Sequence, residues 1–331
     1  MRFTAKLFLI LWAGMLSAAE PAKLTIYTYS SFTADWGPGP AIKTAFEEEC
    51  GCVLEFVALD DGVSLLSRIR LEGKDSKADV VLGLDTNLTA EARATGLFAE
   101  HGQPTDGLSV PGGWEDSMFL PFDYGYFAFV YDHSAYQNPP TSLRGLVGGP
   151  AEEKIIIQDP RTSTPGLGLL LWVRKIYGDR ATDAWAQLSP RILTVTKSWS
   201  EAYGLFLKGE APLVLSYTTS PAYHLIAEDE AKYAAAPFEE GHYLQVEVAA
   251  KLASSKQSEL ADRFLAFMLS DGFQQHIPTG NWMYPAKAPA DGLPKGYETL
   301  ITPEPTLSFS PEEVLANRKA WVKEWLDALS R

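Results

Sequence analysis

The chain has 331 residues, of which 46% are hydrophobic, and it carries a formal net charge of −14 at pH 7. This length and composition suffice for one large or two medium hydrophobic cores. The acidic balance argues against nucleic acid and against an anionic membrane surface as partners, because both favour basic patches on a protein. It is compatible with a cationic ligand, and solubility alone explains it equally well.

Residues 1–19 have the features of a secretory signal peptide. Arg2 and Lys6 precede the apolar run 7–16, and small residues follow at 17–19. A short basic start, a short apolar stretch and a small-residue exit are typical of a cleavable signal, and the apolar run is too short to span a bilayer. We predict cleavage after Ala19, with no cysteine at that point to carry a lipid anchor. A soluble protein exported in this way is retained only by an outer membrane, so we expect a periplasmic protein of a Gram-negative bacterium.

The chain has two cysteines, Cys50 and Cys52, which are separated by one residue. An oxidising compartment permits a disulfide between them, although a disulfide that closes so short a loop adds little stability. A redox motif normally has two intervening residues. We therefore interpret the pair as a local structural clip or as two unreactive thiols.

Strand and helix patterns alternate along the mature chain. The first series consists of a strand over 23–29, a helix over 40–49, a strand over 52–58, a helix over 63–71 and a strand over 78–84. The second consists of a strand over 154–158, a helix over 165–177, another near Trp185, a helix over 199–208 and a strand over 212–216. Such alternation predicts mainly parallel sheets with helices on both faces. Ligands bind beyond the carboxyl ends of the strands in sheets of this kind.

Two long apolar segments, 119–131 and 243–250, have the composition of strands that pass between two sheets. The chain after residue 256 is predicted to be mainly helical and ends in an amphipathic stretch over 311–329. We predict an α/β fold of two lobes, each a mainly parallel sheet flanked by helices, joined by hinge strands. Lobe 1 is assigned residues 20–122 and 244–331, and lobe 2 is assigned residues 123–243.

Hydroxyl or carboxylate residues stand directly before a helix at four predicted junctions. These junctions are 60–62, 161–166, 198–201 and 216–221. Such residues are ordinary N-caps, and 198–201 also has the Ser-x-x-Glu spacing of a capping box. The alternative is functional, since several helix N-termini that face one cleft would offer N–H groups to an anion such as phosphate.

The chain contains 9 tryptophans and 14 tyrosines. Several lie in loops or at helix starts rather than inside apolar strands, namely Trp36, Trp199, Tyr217, Tyr223 and Trp282. Rigid Gly/Pro-rich loops that present a tryptophan suit a stacking platform for a flat or cationic group. The alternative is that these rings cover an interface between the two lobes.

Sequence signals for catalysis or metal binding are weak. Asp60 and Asp61 are adjacent, so their side chains diverge on an extended segment and do not form an acid–base pair. The five histidines lack metal-ligand spacing, and neither a G-x-S-x-G elbow nor a phosphate-binding glycine loop occurs. We predict that the protein is not an enzyme and has no metal site and no cofactor.

Several segments together resemble one family. They are residues 27–40, 58–66, 77–83, 121–127, 158–168, 199–209 and 278–285. Across essentially the whole mature chain, these segments resemble the periplasmic thiamine-binding proteins of thiamine ABC transporters. The loops around Trp36 and Trp282 are far more specific to that family than the Lys-Ala-Asp strand at 77–79, which occurs in many binding proteins. The resemblance implies a hinged periplasmic binding protein fold of the second type, with the ligand held between the lobes.

The resemblance also implies a set of ligand contacts. Lobe 1 contributes Asp61 and Gly62, lobe 2 contributes Ser163, Thr164, Trp199, Tyr217, Thr218, Thr219 and Ser220, and Tyr29, Trp36, Tyr223 and Trp282 match further aromatic positions of the pocket. The implied ligand is thiamine or its mono- or diphosphate. Its thiazolium cation would lie against aromatic faces, its aminopyrimidine amine would donate to Asp61, and its hydroxyl or phosphate tail would meet the hydroxyls at 163–164 and 218–220.

We expect a monomeric receptor that closes on its ligand and docks onto an inner-membrane ABC permease with its ATPase. Two kinds of alternative remain open at this point. One is a protein of the same fold for another cation, either a ferric ion, which needs clustered tyrosines and carboxylates, or a polyamine, which needs several carboxylates where only Asp61 is obvious. The other is a secreted thiamine-degrading enzyme, which needs a nucleophilic cysteine in the cleft.

Overall fold

The computed structural model describes residues 20–330, so the predicted signal peptide lies outside the described residues. The strands are β1 (Lys23–Tyr29), β2 (Val53–Leu59), β3 (Val80–Asp85), β4 (Phe98–Ala99), β5 (Leu120–Asp132), β6 (Ile155–Gln158), β7 (Ile192–Thr196), β8 (Leu213–Tyr217), β9 (Tyr233–Ala235), β10 (His242–Leu252), β11 (Tyr284–Pro285) and β12 (Thr306–Leu307). The helices are α1 (Ser30–Thr33), α2 (Gly39–Cys50), α3 (Gly62–Glu72), α4 (Thr89–Ala94), α5 (Leu143–Val147), α6 (Thr164–Tyr177), α7 (Ala181–Leu188), α8 (Trp199–Leu207), α9 (Ser220–Ala227), α10 (Ser258–Phe267), α11 (Asp271–Gln274) and α12 (Pro311–Leu329).

Eight of the strands form one path in the order β2-β1-β3-β10-β5-β8-β6-β7, while β9 and β11 pair with β5, and β4 and β12 pair with β10. Strand β1 pairs in parallel with β2 and β3, and we call these three strands with their helices the first half. Strand β6 pairs in parallel with β7 and β8, and we call these three strands with their helices the second half. The long strands β5 and β10 pair antiparallel with each other and connect the two halves. The predicted hinge strands are these two. The predicted lobe boundaries, at 122/123 and 243/244, fall within β5 and β10, so each of these strands belongs to both halves.

The predicted elements agree closely with the structure where hydrophobic patterning is strong. Strand β1 has the predicted bounds, α2 and α3 extend one residue beyond the prediction at both ends, and α6 begins one residue earlier than predicted. The prediction of a mainly helical chain after residue 256 is wrong for residues 286–310, whose longest helical piece is Tyr297–Thr299. This stretch contains four prolines, at 289, 294, 303 and 305, and proline lacks the backbone N–H that a helix requires.

Helix α12 packs across the back of both halves. Its Trp325 ring lies edge-on to Trp185 of α7, with centroids 6.4 Å apart, and its Trp321 ring lies 5.4 Å from the Arg174 guanidinium of α6. Its Arg318 forms an ion pair with Glu91 of α4, in the first half, with an N–O distance of 2.6 Å. Helix α12 therefore contributes to the packing of both halves.

Cys50 and Cys52 form a disulfide, with their Cα atoms 5.1 Å apart. Helix α2 ends at Cys50, and Gly51 then takes a left-handed conformation with φ of 63°. This conformation favours glycine, which has no Cβ to clash. The structure supports the interpretation of a local clip, in which both sulfurs are engaged. None of the described helices combines the length and the apolar character needed to cross a membrane.

Candidate ligand-binding site

A cavity of about 270 Å³ lies between the two halves, close to the lower end of the range for small-molecule sites, about 300–1,000 Å³. The predicted site residues that line it are Tyr29, Trp36, Asp61, Trp199, Tyr217, Ser220, Tyr223 and Trp282. The other predicted residues, Gly62, Ser163, Thr164, Thr218 and Thr219, are buried next to this lining. The structure thus brings the predicted residues of both halves to one place.

Lining residues that are not among the predicted ones are Ser31, Ser200, Tyr203, Gly204, Leu207, Glu247, Asn281 and Met283. Helical spacing could have identified two of them, because Tyr203 and Leu207 follow Trp199 at intervals of four residues and share its face of α8. Asn281 and Met283 flank Trp282 in the chain. Glu247 has no such neighbour among the predicted residues.

The indole of Trp199 is held rigidly at the cavity wall. Its ring stacks on Tyr203, with centroids 5.0 Å apart, and its Nε1 donates to Ser216 Oγ at 2.7 Å. The Tyr203 hydroxyl in turn lies 2.9 Å from His224 Nε2. Trp36 approaches from the first half, with its ring centroid 6.2 Å from that of Trp199, and is 50% exposed. The two indoles therefore flank the mouth of the cavity from opposite halves.

Trp282 reaches the cavity from a strained turn. It follows a π-helical turn, Ile277–Asn281, and has φ of 57°, a left-handed conformation that is uncommon for a bulky residue. Its ring lies edge-on to Tyr223, with centroids 5.3 Å apart, and its indole Nε1 is buried without a hydrogen-bond partner among residues 20–330. A backbone outlier of this kind costs about 1–3 kcal/mol and is characteristic of functional sites.

Asp61 bridges the first half to the second. Its Oδ2 accepts from Ser163 Oγ at 2.7 Å and from the Trp199 backbone N–H at 3.4 Å, and its Oδ1 accepts from the Gly62 N–H at 2.8 Å. The carboxylate thus lies at the N-termini of α3, α6 and α8. Burial raises the pKa of Asp61, and the hydrogen bonds from Ser163 and the backbone N–H groups oppose that shift. In this closed arrangement, the predicted anion position at these helix N-termini is filled by the protein's own carboxylate.

Gly62 permits the close approach of the halves at this point. A Cβ on Gly62 would lie 2.3 Å from Thr164 Oγ1 and 2.5 Å from the Gly83 carbonyl oxygen, so a larger residue would force the two halves apart. The hydroxyls of Thr164 and Thr218 are buried and have no partner among residues 20–330. Neither of these two residues lines the cavity itself.

A second acidic group lies at the base of the cavity. Glu247 of β10 lines the cavity and pairs across the sheet with Asp123 of β5. The Tyr29 hydroxyl donates to Glu247 Oε2 at 2.7 Å, and Asn281 Nδ2 donates to Asp123 Oδ2 at 2.5 Å. Burial raises the pKa of Asp123 to about 7, and burial together with the neighbouring Asp123 raises the pKa of Glu247 well above its usual value.

The lining of the cavity is suited to a cation. It contains two carboxyl groups, Asp61 and Glu247, and its residues include neither lysine nor arginine. Aromatic faces attract cations through the ring quadrupole, so the tryptophans and tyrosines act in the same direction. Within residues 20–330, no group of three or more His, Cys, Asp or Glu residues is placed to hold a metal ion.

Two further contacts cross the mouth of the cleft. Lys197 Nζ forms an ion pair with Asp60 Oδ1 at 2.7 Å, and the Ser64 backbone N–H donates to the Thr162 carbonyl at 3.1 Å. The ion-pair side chains are exposed, so water and salt weaken their attraction.

We expect Lys197→Ala to raise the dissociation constant for the ligand by less than about threefold. Exposed ion pairs contribute about 0.2–1 kcal/mol, and this pair lies at the rim of the cleft and not in the cavity lining. Isothermal titration calorimetry at low and high salt would measure the effect, with exposed Lys256→Ala as the matched control. A tenfold loss would instead make the ion pair a main determinant of closure.

The fold defines the class of the molecule as a two-lobed solute-binding protein. The ferric binding protein from Campylobacter jejuni superposes with a TM-score of 0.76 at 19% sequence identity, over 92% of this chain and 99% of that one. This likeness supports the predicted fold class and carries no information on the ligand. Residues 75–299 match the family described as bacterial extracellular solute-binding protein.

Closer similarity comes from two proteins. The thiamine-binding periplasmic protein of Escherichia coli K12 is 63% identical over 313 residues, which cover 95% of each chain. The solved structure of a periplasmic thiamin binding protein superposes with a TM-score of 0.92 at 61% identity, over 95% of this chain and 100% of that one. The chain belongs to the thiamine-binding periplasmic protein family within the bacterial extracellular solute-binding proteins. The predicted family resemblance is confirmed.

Proposed function

We propose that the protein captures thiamine between its two halves and delivers it to an ABC importer. The observation that carries this function is the cavity itself, which is lined by aromatic rings from both halves and by two carboxyl groups without a basic residue. Thiamine is an aromatic cation and matches that lining in shape and charge. The names of the relatives point to the same ligand.

The thiazolium ring of thiamine lies against the aromatic wall in this proposal. Trp199 and Trp36 flank the mouth, while Tyr223 and Trp282 form an edge-on pair deeper in the lining. Each cation–π contact contributes about 0.5–2 kcal/mol, depending on how far water is excluded. Two or three such contacts contribute about 1–6 kcal/mol, compared with about 8.2 kcal/mol for a micromolar dissociation constant.

The tail of the ligand extends toward the starts of α6 and α9. For thiamine the tail is a hydroxyl, which can donate to Asp61, and for the phosphate esters it is an anion. The hydroxyls at Ser163, Thr164 and 218–220, together with backbone N–H groups, provide donors for a phosphate. A phosphate must compete with the Asp61 carboxyl for these donors, and burial raises the pKa of that carboxyl while the hydrogen bonds from Ser163 and the backbone N–H groups lower it.

We expect Ser163→Ala to weaken the binding of thiamine monophosphate more than the binding of thiamine, so that the ratio of the two affinities changes by about threefold to tenfold. The change removes a hydroxyl that holds Asp61 at 2.7 Å and would donate to the phosphate. Parallel calorimetric titrations with both ligands measure the ratio. Thr219→Ala tests the other side of the same position, and equal losses for both ligands would contradict the assignment of the tail.

The cellular role follows the same proposal. The signal peptide directs export and is removed after Ala19, and the mature protein acts in the periplasm, where its relatives are named as residing. It acts as a monomer that closes on thiamine and docks onto an inner-membrane permease driven by an ATPase. It releases its ligand unchanged, because Cys50 and Cys52 are joined in a disulfide and do not line the cavity, so neither thiol is available there as a nucleophile.

Native mass spectrometry of the purified protein, followed by calorimetry with thiamine, tests the proposed function. We expect a 1:1 complex whose mass equals protein plus intact thiamine. Free pyrimidine or thiazole fragments after incubation would indicate a thiamine-degrading enzyme instead. Competition with spermidine and with ferric citrate should leave thiamine binding unchanged. Spermidine is the important competitor, because Glu247 and Asp123 add carboxyls beyond Asp61.

A further inference from the structure

Glu247 presents one oxygen to the cavity and has the other held by the protein. Its Oε2 accepts from the Tyr29 hydroxyl at 2.7 Å and lies 3.3 Å from Asn281 Nδ2. Within residues 20–330, Oε1 accepts no hydrogen bond and is not enclosed by protein atoms. The side chain is only 5% exposed, and the surface that remains lines the cavity. A carboxyl group fixed in this way is positioned for a ligand group rather than for solvent.

Glu247 and Asp123 together hold one proton. Both carboxyls are buried, they lie opposite each other on β10 and β5, and no lysine or arginine in the described part of the chain forms an ion pair with either. Two adjacent buried carboxylates without a cation are strongly unfavourable. The raised pKa of each group expresses that cost. The pair therefore carries a single negative charge, and its one proton is shared in the side-chain hydrogen bond between the two carboxyls.

We propose that Glu247 selects the ligand by accepting a hydrogen bond from the amino group of its aminopyrimidine through Oε1, while the single negative charge of the Glu247–Asp123 pair balances the thiazolium cation. This assignment rests on the proposed function. An amino group donates hydrogen bonds, and a carboxyl oxygen with no other partner is an acceptor for it. Glu247 Oε1 supplies that acceptor to the cavity.

Asp61 is less suited to this role than Glu247. Both of its oxygens already accept hydrogen bonds, from Gly62, Ser163 and Trp199. It also lies at the helix N-termini, where the tail of the ligand would be. The two carboxyls of the lining thus contact different parts of the ligand, with Asp61 at the tail and Glu247 at the aminopyrimidine.

The assignment predicts a particular pattern of specificity. Oxythiamine carries an oxo group in place of the amino group, which turns the donor into an acceptor and disturbs the pairing. A site built to hydrogen-bond one group rejects an analogue that lacks it, because the buried partner is then left unsatisfied. We expect wild-type protein to bind thiamine at least tenfold more tightly than oxythiamine.

The test compares Glu247→Met with Glu247→Gln. Methionine keeps the length of the side chain but lacks a donor and an acceptor, whereas glutamine retains both. Three probes are titrated calorimetrically: thiamine, oxythiamine and an N-methylated hydroxyethyl-methylthiazolium, which has the cation without the pyrimidine. Glu48→Gln, at an exposed position, is the matched control for loss of one acidic charge. Thermal melts establish that each variant is folded.

We expect Glu247→Met to weaken the affinity for thiamine at least tenfold and to leave the affinity for the thiazolium within about threefold of wild type. The variant should also lose the preference for thiamine over oxythiamine. Glu247→Gln should restore thiamine binding to within about fivefold of wild type. Equal weakening of thiamine and thiazolium by both variants would overturn the assignment, since Glu247 would then act through charge alone. An unchanged thiamine affinity in Glu247→Met would overturn it as well. Failure of wild-type protein to bind thiamine would instead overturn the proposed function and this assignment together.

Discussion

Replacing Trp199 by alanine is expected to raise the dissociation constant for thiamine by about tenfold or more. The indole forms one wall of the cavity and is held by stacking on Tyr203 and by its hydrogen bond to Ser216. Its loss removes a cation–π contact of about 0.5–2 kcal/mol and leaves the Tyr203 ring exposed to the cavity. A cost of 1.4 kcal/mol corresponds to a tenfold change in affinity. Calorimetry or intrinsic fluorescence titration measures the change.

Trp199→Phe is the control for this experiment. Phenylalanine keeps an aromatic face toward the ligand but cannot donate to Ser216, so we expect a loss of only about twofold to fivefold. If Trp199→Ala leaves the affinity within about twofold of wild type, the indole does not contact the thiazolium. The aromatic residues around the cavity would then cover the interface between the halves and would not form a stacking platform.

Asp123→Asn is expected to stabilise the ligand-free protein relative to wild type by about 2–4 kcal/mol at pH 7.5. The pKa of Asp123 is about 7 in the folded protein and near 3.8 when unfolded, so the folded state binds more protons between those values. The stability of wild type therefore falls as pH rises from about 4 to about 7. Asparagine does not titrate and can still accept the hydrogen bond from Asn281. The stability of the variant therefore does not fall with rising pH for this reason.

Urea unfolding at pH 4.5, 6.0 and 7.5 measures the difference between the two proteins. The buried histidines, whose pKa values are lowered by burial, titrate in wild type and variant alike and cancel in that difference. Asp75→Asn, at an exposed position, should change stability by no more than about 0.5 kcal/mol at any pH. The difference in the free energy of unfolding between Asp123→Asn and wild type should grow with pH. If it does not, ionisation of Asp123 costs the folded state little free energy.

The sequence predicts the architecture well because periodic hydrophobicity is a local signal. Strand β1 and helix α12 have the predicted bounds, and the long apolar segments are the strands that join the halves. The helix prediction is wrong for residues 286–310 because the prolines in this stretch oppose helix formation. The effect of a proline depends on its position in a turn.

The site is predicted where its residues stand at strand ends and is missed where they lie inside a strand. Trp199 and Tyr217 occur at junctions, whereas Glu247 and Asp123 are single charges within segments that otherwise indicate buried strands. These two meet only because of the register between β5 and β10, which joins positions 124 residues apart (247 − 123 = 124). The position of Asp61 at the helix N-termini of the other half is likewise a tertiary contact that no local pattern contains.

Helix α12, which covers the back of both halves, has a consequence for how the molecule is made. Its 19 residues form the last secondary-structure element within residues 20–330, and a chain is synthesised from its N-terminus. Until these residues have been synthesised, the surface around Trp185 and the tip of Arg174 stays uncovered. The two halves then also lack the helix that packs against both of them. Nascent or truncated chains that end before residue 311 should therefore be protease-sensitive and prone to aggregate, even though every residue of the cavity is already present.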